Sequence, residues 1–100
     1  VPWLIMSDDD PAATHKRADK DLMALHMAYE EAHKDIILAA GSLRNDDGST
    51  PDGGLLLLDV ETRAEAEAYY RKDPLTQAGV RGRITIRRWH RSILDGKIHW

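Results

Sequence analysis

The chain has 100 residues, 42% hydrophobic and 31% charged, enough for one core and one domain spanning residues 1–100. It has no cysteine, which excludes disulfides, thiolate metal sites and cysteine nucleophiles. The net charge of −3 gives no global field for nucleic acid or anionic lipid. No apolar run approaches the ~20 residues of a membrane span, and the first residues lack the basic start of a signal peptide. The cytoplasm is the expected compartment.

In chain order, the apolar residues 3–6 predict a buried strand, stopped by Ser7-Asp8-Asp9-Asp10-Pro11. Asp10 is placed to cap a helix whose first position is Pro11. From Ala18, apolar residues recur at 22, 25, 29, 32 and 36, the face of a helix that ends near Lys34. Residues 36–40 predict the second strand. The glycine-, proline- and acid-containing stretch 41–54 predicts a long hairpin loop, suited to a mobile flap. Residues 55–60 open with four leucines and predict a central strand, apolar on both faces. Thr62 and Glu65 have the spacing of a capping box for an alanine-rich helix to about Lys72, where Pro74 forces a stop. Residues 75–79 allow one more turn. Val80, Ile84 and Ile86 alternate with arginines and Thr85 as a fourth strand. The tail, 92–100, is ambiguous.

The order βαββαβ is that of an α+β, ferredoxin-like split βαβ fold: a four-stranded antiparallel sheet with both helices on one face. Two helices cover one side of such a sheet. The four-leucine strand implies a second cover, which predicts a homodimer packed sheet to sheet.

The ordered set of short motifs resembles the YciI-like (YCII) family of dimeric α+β barrel proteins. It comprises Asp8-Asp9-Asp10-Pro11, Leu25-His26-Met27-Ala28-Tyr29, Ile37-Leu38-Ala39-Ala40-Gly41, Asp46-Asp47-Gly48 and Gly54-Leu55-Leu56. It continues with Ala64-Glu65-Ala66-Glu67-Ala68, Asp73-Pro74-Leu75-Thr76-Gln77-Ala78-Gly79-Val80 and the closing stretch 84–89. The family is similar in fold to muconolactone isomerases and includes a dehydrochlorinase acting on a chlorinated hydroxyhydroquinone. The resemblance implies a His–Asp dyad at His26 and Asp73, with Pro74 orienting Asp73. Arg17 and Asp9 match the family's arginine and acidic positions and would serve a substrate oxyanion. Gly54 lies where many members have a serine near the start of the third strand, so a hydroxyl from that place is missing here.

These residues imply cofactor-independent chemistry. An imidazole with a pKa near ~6.5 can take a hydroxyl or carbon proton when a carboxylate stabilises its cation. Arg17 would then hold the oxyanion during elimination or isomerisation of a small phenolic or enolisable ring. The alternative is a non-catalytic dimer that binds a small molecule and turns nothing over. Each residue also has a purely structural role open to it: His26 at the edge of a helix core, Asp73 as an N-cap, and Arg17 with Asp9 as a surface pair. No metal is expected. His26 and His33 lack a third ligand, and Asp46-Asp47-Gly48 has the wrong spacing for a calcium loop. Arg81, Arg83, Arg87, Arg88 and Arg91 form a basic cluster. The chain has no phenylalanine, so a base-stacking sheet is disfavoured, and paired or solvated arginines are the expectation.

Overall fold

Strand alternation sets the first element of the computed structural model, which describes residues 2–100. In β1 (Trp3–Asp9) residues 3, 5, 7 and 9 point inward. The strand therefore runs three residues past its expected end at Met6. Ser7 and Asp9 do not stop it because each meets a polar partner on the inward face. The Tyr70 hydroxyl donates to Ser7 Oγ at 2.7 Å, and Asp9 accepts from Thr14 and Arg17.

No helix starts at Pro11. The Asp10 side chain takes the Ala12 N–H at 2.9 Å and its carbonyl takes those of Ala13 and Thr14, a tight turn that feeds a 3-10 segment, Thr14–Ala18. Asp19 is the residue that caps α1 (Lys20–Ala32), accepting from the N–H groups of Asp21 and Leu22. The buried face of α1 also differs from expectation: Leu25 is 61% exposed, while His26, Tyr29 and His33 turn inward. Steps of three and four fit Leu22–Leu25–Tyr29 and Leu22–His26–Tyr29 equally well. The second wins because its polar atoms are satisfied. Tyr29 donates its hydroxyl to the Tyr69 carbonyl at 2.6 Å, and His33 packs edge-on against the Tyr69 ring.

A 3-10 turn, Lys34–Ile36, leads into β2 (Ile37–Arg44), which pairs with β3 (Pro51–Leu58). The expected loop over 41–54 is thus mostly strand. Gly41, Gly53 and Gly54 sit inside the ladder, and the true turn covers only 45–50. It is tied by Asn45, whose side-chain oxygen takes the Thr50 N–H at 3.0 Å. Gly53 is required there: a Cβ would stand 2.4 Å from the Ser7 carbonyl oxygen.

Thr62 caps α2 (Arg63–Arg71) by accepting from the Glu65 N–H, while its hydroxyl donates to the Glu65 carboxylate. Asp73 caps the short α3 (Pro74–Gln77), and β4 (Arg81–Arg88) follows. The tail forms a hairpin of β5 (Ile93–Leu94) and β6 (Lys97–Ile98). Its turn is Asp95-Gly96, both at positive φ, as such a hairpin requires.

The four long strands form one antiparallel sheet in the order β2-β3-β1-β4, the ferredoxin-like arrangement. Trp3, Ile5, Leu56 and Leu58 pack against Ala66, Tyr69 and Tyr70 of α2, with Tyr29 of α1 joining them. The alternate residues, paired as Leu4–Leu57 and Met6–Leu55, line the opposite face. No helix among the described residues is long and apolar enough to cross a membrane.

Candidate active site

Between α1 and the sheet lies a cavity of about 220 Å³, walled by His26, Glu30, Arg17, Arg81, Asp73 and Gly54 among others. Asp73 is its most constrained polar group. The residue before a proline is pushed to extended backbone, and Asp73 has φ −61° and ψ 128°. Pro74, at the first helical position, lacks only an N–H that would have no partner there. The cap geometry aims the carboxylate back across α3. Its Oδ1 accepts from the Leu75 N–H at 3.2 Å and meets His26 Nδ1 at 2.7 Å, while Oδ2 accepts from Arg81 Nη2 at 3.0 Å. Asp73 is 3% exposed. Burial alone would raise its pKa, but the hydrogen bonds and charges of His26 and Arg81 outweigh that and hold it below the ordinary 3.8.

His26 has a carboxylate at each ring nitrogen. Nδ1 faces Asp73, and Nε2 lies 2.9 Å from Oε1 of Glu30, one turn further along α1. Only the imidazolium can donate from both nitrogens. Burial opposes the charge, but Asp73 and Glu30 together push the pKa from 6.5 to about 9. The resting histidine is therefore a cation at neutral pH. This departs from the expected imidazole near its ordinary pKa.

Arg17 and Asp9 also meet. The guanidinium grips both carboxylate oxygens, through Nε on Oδ2 and through Nη2 on Oδ1 at 2.9 Å, and Thr14 adds a hydroxyl at 2.8 Å. Their side chains are 10% and 2% exposed, so this is a buried bidentate pair and not the surface pair considered above. Burial works against the Asp9 charge, but Arg17 and Thr14 hold its pKa below the ordinary value. Arg17 faces the cavity and also reaches the Gly53 carbonyl at 3.3 Å. The candidate site residues His26, Asp73, Arg17 and Gly54 thus line one cavity. Asp9 stands behind Arg17, and Pro74 behind Asp73.

Two charged residues were not singled out as site groups. Glu30 was legible as the residue four beyond His26 on a helix. Arg81 was not, because it sits in the basic cluster and alternation with Ile84 and Ile86 gives no account of its inward side chain. The β1–β4 register shifts between Ser7 and Asp9, bringing Arg81 opposite Asp9. Its side chain is 6% exposed, and its buried Nε has no hydrogen-bond partner among the described residues. Gly54 makes room for it: a Cβ there would lie 2.9 Å from Arg81 Nη1. Of the other clustered arginines, Arg88 stacks over the Trp3 ring at 4.4 Å.

The family model of the YCII-related domain matches residues 1–90. No curated protein matches the chain. Among solved structures, it is similar to 5-chloro-2-hydroxyhydroquinone dehydrochlorinase from Burkholderia phenoliruptrix AC1100, in complex with 2,5-dihydroxybenzoquinone. The two are 28% identical with a TM-score of 0.78, covering 90% of this chain and 94% of that one.

Proposed function

Because the chain belongs to the YCII-related domain family, we propose that it is a cytoplasmic, cofactor-independent enzyme of proton transfer on a small phenolic or enolisable ring. The reaction is elimination or isomerisation, of the kind the similar dehydrochlorinase performs on a chlorinated ring. The observation that carries this reading is the contact of His26 with Asp73, 47 positions apart in sequence, in a cavity that also holds two buried guanidinium groups.

A ring hydroxyl gives up its proton to solvent, and His26, already an imidazolium that Asp73 stabilises, holds the proton that the ring will receive. Arg17 faces the developing oxyanion. Delivering that proton to a ring carbon yields the keto isomer, and solvent reprotonates His26. Loss of a second proton to solvent, its bonding pair becoming the new double bond while the leaving anion departs with the pair of its own bond, completes an elimination. No oxidant is consumed. Chloride release from 5-chloro-2-hydroxyhydroquinone, and exchange of ring protons of hydroxylated benzoates and quinones into D₂O, test the reading. Both activities should vanish in His26→Ala. Tight binding with no exchange in the native chain would leave the non-catalytic binding module in its place.

We also propose a two-fold homodimer. Met6 is 38% exposed on the sheet face away from the helices, beside Leu4, Leu55 and Leu57, an apolar surface that a second copy would cover. Light scattering that gives a mass of 11.3 kDa at micromolar concentration would reject it.

A further inference from the structure

The two carboxylates on His26 are held very differently. Asp73 has a side chain 4% exposed and is fixed by the Leu75 N–H, Arg81 and its place as a helix cap. Glu30 is 32% exposed and meets the ring at the wall of the cavity, by one oxygen. Any ligand that reaches His26 from the cavity therefore exchanges with Glu30 and leaves Asp73 in place.

The charges around the ring define what can make that exchange. Against His26 stand Asp73 ahead of α3, with Arg81 of β4 on its far oxygen, and Glu30 of α1, while Tyr69 and Tyr70 of α2 line the same cavity. Arg17, on the 3-10 segment, is already neutralised by Asp9. Two cations, His26 and Arg81, thus stand against Asp73 and Glu30. Removing Glu30 leaves one positive charge and an Nε2–H in want of an acceptor. A singly charged oxygen restores both.

We propose that Glu30 is a tethered stand-in for the ligand, and that the site takes acidic ring hydroxyls as their anions, a phenolate or enolate oxygen displacing Glu30 from His26 Nε2. This rests on the proposed ring-binding site and adds its substrate class and its gate. A hydroxyl already ionised at working pH binds without proton exchange. One that is not ionised releases its proton to solvent on binding, since His26 is already charged. A neutral ring must break the His26–Glu30 ion pair and supplies no charge in return. Selection for acidity is therefore built into the resting site.

Calorimetry at pH 6, where His26 is charged with or without Glu30, tests this with 2,5-dihydroxybenzoquinone and neutral hydroquinone as probes. Wild type should prefer the acidic quinone. Glu30→Gln and Glu30→Ala should bind it about fivefold more tightly, the equivalent of losing a partly exposed ion pair as competitor. In the free variants the His26 pKa, followed by NMR, should fall from about 9, and bound quinone should raise it again. Unchanged or weaker quinone affinity in both variants makes Glu30 an ordinary helix-surface partner and overturns the proposal, while the ring-binding site survives. Failure of wild type and both variants to bind either probe overturns the ring-binding reading as well.

Discussion

Asp9 and Asp73 both end in a buried ion pair with an arginine on the wall of one cavity, yet they are assembled from different spans of chain. Among the described residues the side chains that hydrogen-bond Asp9 lie within eight positions of it: Thr14 and Arg17, on the 3-10 segment that follows β1. Asp73 draws on α1 through His26, 47 positions away, and on β4 through Arg81. The local pair is closed, with both Asp9 oxygens taken. The long-range cluster ends instead in Glu30, a carboxylate at the cavity edge. A closed pair can hold a guanidinium in position. Only a cluster with an exchangeable partner can also take up a ligand.

The largest expected effect comes from breaking the open cluster. Asp73→Asn keeps an oxygen for the Leu75 N–H but removes the charge that His26 and Arg81 share. Ring-proton exchange should fall by at least about 100-fold, the scale of a lost acid–base group. His26 should titrate at least one unit lower by NMR, and denaturant melts should show a loss of about 3 kcal/mol, since Arg81 is left buried without a counter-charge. Asp9→Asn strands Arg17 in the same way and should cost a similar ~3 kcal/mol. It should leave the His26 titration in place. If the two variants shift His26 alike, the two regions are one coupled network and the contrast between them fails.

Stability against pH separates the regions further. His26 holds its proton more tightly folded, at about 9, than unfolded, near 6.5. Its contribution is complete below pH ~6.5 and is lost as pH rises through about 9. Asp9 and Asp73 run the other way: their pKa values lie below 3.8, so their contributions are present above pH ~4 and lost on acidification. Urea midpoints should therefore fall between pH 6.5 and 9.5 in wild type and stay flatter over that range in His26→Ala. Equal alkaline slopes would remove the raised histidine from the account. Thr62→Ala, remote from both regions, should cost only about 1 kcal/mol through the lost cap of α2, with no change in either titration.

The sequence carried the element order, the α+β class and the cap at Thr62, because each rests on neighbours in the chain. Periodicity, turn residues and cap spacing are local signals. It also carried His26 and Asp73 as candidates, through resemblance and not through spacing. The rest depended on partners far along the chain. β1 continues through Ser7 because Tyr70, 63 residues on, satisfies it. Residues 41–44 and 51–54 are strands because ladder pairing absorbs their glycines. α1 turns Leu25 outward and His26 inward because Asp73 waits at the end of α2, a choice that a period of 3.6 leaves open. The register shift that brings Arg81 into the site, and the joint hold of Asp73 and Glu30 that keeps His26 charged, exist only once strands and helices are packed. Local rules set which elements form. Which face each buries, and what charge the histidine carries there, is fixed by electrostatic and hydrogen-bond partners that only the folded chain brings within reach.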